Sequence, residues 1–435
     1  MSVRTRFAPS PTGNIHIGNI RVAIYNWLFA RNQNGSFVLR IEDTDQQRST
    51  TEAINNLFKT MDWLGITYDG EPLYQSKQVE NHISIAEDLL KKGLAYKEDK
   101  GNTGEGECII FRMPKEDVFF QDYIRGGLKK SADNLEDFVI VRSDGTPVFH
   151  LANVLDDIKQ GITHIIRGDD HIENTYRHIA LYKALKTDIP IFAHLPMIVN
   201  HEGKPYSKRD GDAFVGDFKN KGYISKALFN YLALLGWSPG DDRELMTVEE
   251  MIRDFDLTRC QSSPAQIDLK KLTWMNGEYL SNIDKNEFYS EAEKLILYSY
   301  PNVSVDLISQ IVPLIRDRVK FYSEIVPMTK FLFSDSYSID KKVVNKKIKQ
   351  EGIREILENL INLFEQLKAF DAQTIKDELH KYIEKTEKSF GTVLVPLRIA
   401  ISGSQGGPDL FSLLSILGKE KVIERIHKTI NKFLD

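Results

Sequence analysis

Three short polar segments carry the residue types that could do chemistry. The first, Pro9 to Asn19, is a loop rich in proline and glycine that contains His16 and ends at the start of a helix. The second, Glu42 to Asp45, holds three carboxylates in four residues, and the third, Gly203 to Gly211, is strongly basic. A helix N-terminus attracts phosphate because its first N–H groups lack partners and carry partial positive charge. A phosphate-bearing ligand is therefore predicted beside the first segment.

The elements around these segments predict a doubly wound sheet. Residues Val3 to Phe7 favour a strand, and apolar residues then recur at helical spacing from Ile20 to Leu28. A second strand over Phe37 to Ile41 leads into the acidic segment, and Thr50 or Thr51 caps the next helix. Alternating strands and helices are typical of parallel sheets, which bind ligands at the carboxyl ends of their strands.

The rest of the chain divides by pattern. From Lys97 to Thr146 the sheet signal weakens, as expected of an inserted module, and it returns at Ile162 to Ile166. Beyond Gly222 the patterns are helical, and from Leu307 onward only helices are predicted. A chain of 435 residues exceeds what one core usually holds, so two to four domains are expected.

Composition excludes several classes of protein. A hydrophobic content of 41% and a charged content of 27% are ordinary for a globular enzyme, and a net charge of −5 neither indicates nor excludes nucleic-acid binding. Cys108 and Cys260 stand far apart, without partners at metal-ligand spacing, so neither a zinc ribbon nor a disulfide framework is expected. No apolar run is long enough for a bilayer, which predicts a cytoplasmic protein without membrane contact.

The motifs and their order resemble one family. Residues Pro9 to Asn19 are similar to the HIGH signature of class I aminoacyl-tRNA synthetases, and Phe7 to Gly13 with Arg40 to Asp45 resembles bacterial glutamyl-tRNA synthetases. Residues Tyr206 to Arg209 are similar to the second class I signature, KMSKS. There, Pro205 replaces the usual first lysine and Lys204 lies one place earlier. Segments 311–320 and 407–419 resemble the family's helical anticodon-binding region, so the resemblance spans nearly the whole chain.

The resemblance implies an α/β fold: a Rossmann-like catalytic core with an inserted α+β module, followed by all-α C-terminal domains. The core would comprise residues 1–76 and 148–200, interrupted by a connective module for the tRNA acceptor end at 77–147. A stem-contact domain with the KMSKS-like loop would occupy 201–300, and a helical anticodon-binding region 301–435.

The resemblance also implies ATP-dependent ligation of glutamate to tRNA through a glutamyl-adenylate. His16 and Lys208 would be catalytic, Arg6 would bind the glutamate side chain, and Glu42 would bind its ammonium group. The implied ATP contacts are Pro9, Ser10, Pro11, Thr12, Gly13, His16, Gly18, Asn19, Ser207, Lys208 and Arg209. The implied glutamate contacts are Arg6, Ala8, Ser10, Glu42, Phe149, Asn153 and Arg167, and the implied tRNA contacts are Asp45, Lys346 and Lys347.

Several points stay open at this level. Phe149, where relatives often have tyrosine, is equally well read as a core aromatic residue, and Arg167 as an ion-pair partner of Asp169 or Asp170. The expected small partners are L-glutamate and ATP with Mg²⁺, without zinc. The expected macromolecular partner is tRNA(Glu), with charging of tRNA(Gln) open and a monomeric state expected. Alternatives are a glutaminyl-tRNA synthetase, whose tail is built of β-barrels, and a tRNA-binding or base-modifying relative that charges nothing.

Overall fold

The computed structural model describes residues 2–45, 49–99, 106–334, 339 and 341–435. The chain forms two compact units, Met1–Met275 and Asn276–Asp435. The five domain boundaries expected from the resemblance stay predictions, and each of the two units is described here by itself.

The strands of the first unit form a parallel sheet and an adjoining mixed sheet, a small antiparallel sheet and a two-stranded ladder. The strands are β1 (Arg4–Phe7), β2 (Ser36–Ile41), β3 (Leu73–Tyr74), β4 (Ala95–Glu98), β5 (Cys108–Phe111), β6 (Val118–Asp122), β7 (Gly126–Lys130), β8 (Phe138–Val141), β9 (His164–Gly168), β10 (Ile191–Leu195), β11 (Ile198–Val199) and β12 (Ala265–Gln266).

The parallel sheet and the mixed sheet meet between β1 and β9. Strands β1, β2 and β3 pair in parallel, and so do β9 and β10. The backbone N–H of Thr163 donates to the carbonyl of Arg4 at 3.0 Å, which joins the two sheets. The strands therefore lie in the order β3-β2-β1-β9-β10. Successive strands are added to one side of β1 up to β3 and to the other side from β9 onward, so the strand order reverses at the β1/β9 junction. Ligands of doubly wound sheets bind at such a switch point, above the carboxyl ends of the strands.

The region between residues 77 and 147 contributes to two sheets. Strands β4, β5 and β8 form a separate antiparallel sheet, which the sequence predicts in part at 109–111 and 138–141. Strand β6 instead pairs with β10, opposite Phe192, and carries β7 along as a hairpin. A hairpin from this region therefore extends the sheet of β9 and β10.

The helices cover both faces of the parallel strands and make up the second unit. They are α1 (Ile17–Asn32), α2 (Thr51–Leu64), α3 (Val79–Lys91), α4 (Phe149–Gln160), α5 (Ile172–Leu185), α6 (Val215–Asn220), α7 (Ser225–Leu234), α8 (Val248–Asp254), α9 (Leu269–Asn282), α10 (Lys285–Ser299), α11 (Val305–Ile315), α12 (Ile325–Phe333), α13 (Lys341–Val343), α14 (Ile353–Gln366), α15 (Ala372–Lys385), α16 (Phe390–Ser402), α17 (Leu410–Leu417) and α18 (Lys419–Phe433).

The second unit is helical throughout its described part. The described residues beyond 275 contain helices, turns and one π-helical turn at Val344–Ile348, but no strand. This confirms the expected fold class, an α/β core followed by helices, and it disagrees with the β-barrel tail of the alternative. Among the described helices, none combines the length and apolar character that crossing a bilayer requires.

Candidate active site

A cavity of about 680 Å³ opens at the switch point of the sheet. It lies at the carboxyl ends of β1, β2, β9 and β10 and beside the first turn of α1. The cavity is lined by Arg6, Phe7, Ala8, Pro9, Ser10, Thr12, His16, Gly18, Asn19, Arg21, Val22, Glu42, Phe149, Asn153, Ile166, Arg167, Gly168, Asp170, His171, Asn174, Leu195, Pro196, Met197, Ile198, Pro205 and Tyr206.

The side chain of His16 caps α1 from the loop. Its Nδ1 accepts the backbone N–H of Gly18 at 3.0 Å, and its other ring nitrogen donates to the backbone carbonyl of Tyr206. Burial lowers the pKa of His16, and the bond to Tyr206 offsets this only in part. The ring is therefore uncharged at neutral pH, and it joins the first loop to the basic loop through hydrogen bonds.

The first N–H groups of α1 already have acceptors in the protein. The N–H of Ile17 donates to Ala213 O at 2.9 Å, that of Gly18 to the His16 ring, and that of Asn19 to His16 O at 3.0 Å. The expectation of unpaired donors for phosphate is therefore wrong for these three groups. The helix contributes its dipole instead. A Cβ at Gly18 would lie 3.2 Å from His16 Nδ1, so a side chain there would disturb the cap.

Phe214 stands between the two predicted catalytic side chains. Its ring centroid lies 6.1 Å from that of His16, edge to face, and 5.9 Å from Lys208 Nζ. His16 and Phe214 also form a β-bridge, and Val215 N donates to Ile15 O at 3.0 Å. The chain just after the basic loop is thus fixed to the loop that precedes α1. Residues 198 positions apart are brought to one side of the cavity in this way.

A buried ion-pair cluster holds the strand ends on the opposite side. Arg6 Nε and Arg40 Nη1 both bind Asp157 Oδ1, at 3.0 and 2.7 Å. Burial alone would raise the pKa of Asp157, but the charges of the two arginines outweigh it and lower the pKa overall. Because the pair uses only Nε of Arg6, the two terminal nitrogens of this guanidinium are not part of it.

Glu42, the residue after β2, lies beside this ion-pair cluster. Its Oε1 accepts from Asn153 Nδ2 at 2.9 Å and lies 3.7 Å from Arg40 Nη2. Burial raises the pKa of Glu42, although Arg40 and Arg6 act in the opposite direction. A cationic ligand would stabilise the ionised form of such a carboxylate, because its ammonium group would replace the water that burial has removed.

Arg167, at the end of β9, is 5% exposed and held by neutral groups. Its Nη2 donates to Thr175 Oγ1 at 2.6 Å, while Nε and Nη1 lie 3.3 and 3.4 Å from the rings of His194 and His178. Burial, and repulsion from Arg6, lower the pKa of Arg167 to about 9. It therefore stays cationic at neutral pH and favours an anionic ligand.

The basic loop is ordered by its own turns. Asp210 accepts from the Asn200 side chain at 2.6 Å and from both N–H and Oγ of Ser207 at 2.9 Å. Pro205 lines the cavity and bridges to Val199 at a position where the flanking residues make the hydrogen bonds, so its missing N–H costs nothing. Lys208 is exposed.

Comparison with known proteins matches this architecture. A family model for the class I tRNA synthetase catalytic domain (E and Q) covers residues 2–105 and 97–274, and an anticodon-binding domain model covers 287–430. The glutamate–tRNA ligase of Methylacidiphilum infernorum is 38% identical over 99% of this chain and 98% of its own length. The chain belongs to the glutamyl-tRNA synthetase family.

Further relatives agree with this membership. Glutamate–tRNA ligase 2 of Thermoanaerobacter pseudethanolicus is 35% identical over 99% of this chain and 98% of its own. The crystal structure of a glutamate tRNA ligase from Elizabethkingia meningosepticum, in complex with its amino acid, is 31% identical with a TM-score of 0.87 and 100% coverage of both chains. The resemblance drawn from the motifs is therefore confirmed over the full length.

Most of the residues predicted for this family member lie together. All seven predicted glutamate residues line the cavity, as do Pro9, Ser10, Thr12, His16, Gly18 and Asn19. The predicted ATP residues that do not line it are Pro11, Gly13, Ser207, Lys208 and Arg209. Among the predicted tRNA residues, Asp45 is exposed in the first unit, and Lys346 and Lys347 lie in the π-helical turn of the second.

The contacts of Phe149 and Arg167 bear on the alternatives that the sequence left open for them. Phe149 lies in the cavity wall, with its ring 5.7 Å from that of His171, and not in the core. Asp169 pairs with Arg125, and no ion pair joins Arg167 to Asp169 or Asp170 among the described residues. Arg167 is therefore not accounted for by a structural ion pair with these carboxylates.

Two functional contributions escaped the sequence patterns. Asp157 lies on the buried face of α4, and His171, predicted as an ordinary helix-end histidine, lines the cavity. A carboxylate amid the apolar residues of α4 is a signal that a buried cation faces it. Within the described ranges, no three His, Cys, Asp or Glu side chains gather around a common metal position. Residues 100–105, which precede Cys108, lie outside the described residues.

Proposed function

We propose that this chain ligates L-glutamate to tRNA(Glu) in two steps, with ATP, as its magnesium complex, supplying the energy. First, the glutamate α-carboxylate attacks the α-phosphorus of ATP and pyrophosphate leaves. A ribose hydroxyl of the terminal adenosine of the tRNA then attacks the carbonyl of the adenylate, and AMP leaves. We further propose that the protein acts as a monomer in the cytoplasm, with tRNA(Gln) as a second possible acceptor.

The main support for the proposal is the arrangement of charges around Arg6, Arg167 and Glu42, which form the amino-acid side of the cavity. Arg6 and Arg167 line the cavity as two cations that repel each other, and Glu42 lines it as a buried carboxylate. Glutamate at neutral pH has two carboxylates and one ammonium group, so its charges complement this set. Glutamine would turn amide N–H groups toward guanidinium donors, which rejects it.

The other side of the cavity fits the nucleotide. His16 and the first turn of α1 would hold the adenosine and the phosphates, while Lys208 and Arg209 approach from the basic loop. Because His16 is uncharged, positive charge for the leaving pyrophosphate falls to Lys208 and Arg209. Lys204 is a poor substitute for the missing first lysine, since its Nζ is already paired with Glu202 Oε2 at 2.7 Å.

Aminoacylation with purified components tests the proposal. The full chain is incubated with ATP, Mg²⁺, radiolabelled glutamate and either tRNA(Glu) or tRNA(Gln), and acid-precipitable label is counted. Charging of tRNA(Glu) is expected, and glutamine in place of glutamate should give none. Charging of neither tRNA would overturn the proposal, while label on both would extend it to tRNA(Gln).

A further inference from the structure

Arg167 depends on the proton positions of its neighbours. Its guanidinium faces His194 and His178 at ring nitrogens, and within the described residues it makes no ion pair with a carboxylate. A guanidinium can only donate hydrogen bonds. Each facing imidazole nitrogen must therefore be unprotonated if it is to hold Arg167 and not repel it.

Asp122 fixes the proton on His194. Its Oδ2 lies 2.6 Å from His194 Nδ1, and both side chains are fully buried. Burial would raise the pKa of Asp122, but the hydrogen bond from His194 lowers it overall, so the carboxylate is ionised. An ionised carboxylate only accepts, which places the proton on Nδ1.

The consequence falls on the other ring nitrogen. Burial lowers the pKa of His194, although Asp122 acts in the opposite direction, so the ring is neutral with a single proton. With that proton on Nδ1, Nε2 is an acceptor, and it lies 3.3 Å from Arg167 Nε and 2.9 Å from Thr175 Oγ1. The opposite tautomer would set one N–H against another in a buried site.

Asp122 reaches this place from the region predicted as the inserted module. It is the last residue of β6 and stands opposite Phe192 of β10, the strand that also carries His194. Its Oδ1 accepts the backbone N–H groups of Ile124 and Arg125 at 2.9 and 2.8 Å. The carboxylate of Asp122 therefore links the turn of the hairpin to His194, which in turn contacts Arg167.

We propose that Asp122 and His194 are positioning residues that hold Arg167 ready for a carboxylate of the substrate. The inference rests on the proposed function, since it requires that Arg167 contact glutamate. Neither Asp122 nor His194 lines the cavity, so their effect passes through Arg167.

Steady-state aminoacylation of the variant Asp122→Asn tests the inference. The amide keeps the shape and an acceptor for the turn but presents N–H to His194 Nδ1, which favours the wrong tautomer. The KM for glutamate should rise about 10- to 100-fold, with the KM for ATP within about twofold of wild type. The matched control is Asp117→Asn in the same hairpin, where the carboxylate is exposed and pairs with Lys129, and it should change neither KM.

A second pair of variants keeps the test independent of folding at position 122. His194→Gln retains an acceptor near the place of Nε2, whereas His194→Leu has none, so the glutamine variant should show the smaller rise in the KM for glutamate. Equal rises in the two variants would overturn the inference, as would an unchanged KM for glutamate in Asp122→Asn. If the wild type itself fails to charge tRNA with glutamate, the proposed function fails instead.

Discussion

The cavity and the basic loop beside it hold their charges in different ways. Arg6, Glu42 and Arg167 stand at strand ends, inside a cluster of buried hydrogen bonds and ion pairs. Lys208 and Arg209 stand on an exposed loop, which is ordered by turns around Asp210. The protein therefore fixes the amino-acid side before any ligand arrives, whereas the two loop cations are exposed to solvent. Substitutions on the two sides should accordingly affect different kinetic constants.

The largest effect is expected at the buried side. Replacing Arg167 by Met keeps the length and removes the cation that we propose binds a substrate carboxylate. We expect a rise in the KM for glutamate of about 1,000-fold, at a nearly unchanged KM for ATP. Steady-state aminoacylation measures both constants.

Arg177→Met is the matched control for this variant. Arg177 contacts His150, does not line the cavity and lies on the same helix as His178. Its KM for glutamate should stay within about threefold of wild type. An equal loss in both variants would mean that Arg167 acts through the histidine cluster and not on the substrate.

Substitutions in the basic loop should lower the rate of adenylate formation and leave the affinity for glutamate unchanged. Lys208→Ala removes a cation that, in the proposed mechanism, acts only when charge builds up on the leaving pyrophosphate. Adenylate formation, measured as ATP–pyrophosphate exchange in the presence of tRNA, should slow about 100-fold. Glutamate affinity, measured by calorimetry, should not change.

Lys204→Ala separates the two lysines of the loop. Lys204 is exposed and already paired with Glu202, so its removal should slow exchange by less than about threefold. A loss equal to that of Lys208→Ala would show that Lys204 replaces the missing first lysine of the motif. A near-normal rate in Lys208→Ala would refute its catalytic assignment.

The elements could be predicted from the sequence better than the buried charges. The alternation at residues 37–41 and the cap at Thr50 gave β2 and α2 to within a residue. The strand expected at 162–166 instead runs from His164 to Gly168, although the backbone groups of Thr163 already bond Arg4 and Ile191. Local patterns therefore identify an element more reliably than they fix its ends, which vary by about one or two residues.

Asp157 and Asp122 show why part of the site was not predicted. Each is a buried carboxylate among apolar residues, and its partner comes from another part of the chain: Arg6 for the first, His194 for the second. A local sequence pattern does not indicate which distant residue such a carboxylate will contact. The motif-bearing residues were found because the family fixes their order, whereas the residues that support them belong to no contiguous motif.

A smaller gain is expected from restoring a cation to the loop side. Pro205→Lys loses no backbone hydrogen bond, because the proline occupies a position of the Val199 bridge where none is made. A lysine at the cavity edge adds positive charge near the pyrophosphate, so exchange should accelerate about 3- to 10-fold. Pro205→Ala is the control, and it should leave the rate unchanged. Equal rates in the lysine and alanine variants would show that the loop already supplies enough charge.

The smallest effect concerns stability on the buried side. Because burial raises the pKa of Glu42 above its unfolded value, the ionised carboxylate lowers the free energy of unfolding at neutral pH. Glu42→Gln should therefore raise Tm by about 1 to 3 °C at pH 7 while abolishing glutamate binding. The difference in Tm should shrink as the pH falls through the raised pKa, since wild-type Glu42 is then neutral as well.

The neighbouring Asp43 is expected to give the opposite result. Asp43 accepts from the backbone N–H and the hydroxyl of Ser76 at 2.8 and 2.6 Å, so its charge is satisfied by the protein itself. Asp43→Asn should lower Tm, where Glu42→Gln raises it, in the same calorimetric scans. A fall in Tm for both variants would mean that the protein alone already balances the charge of Glu42. An ammonium group of the substrate would then not be needed to stabilise that carboxylate.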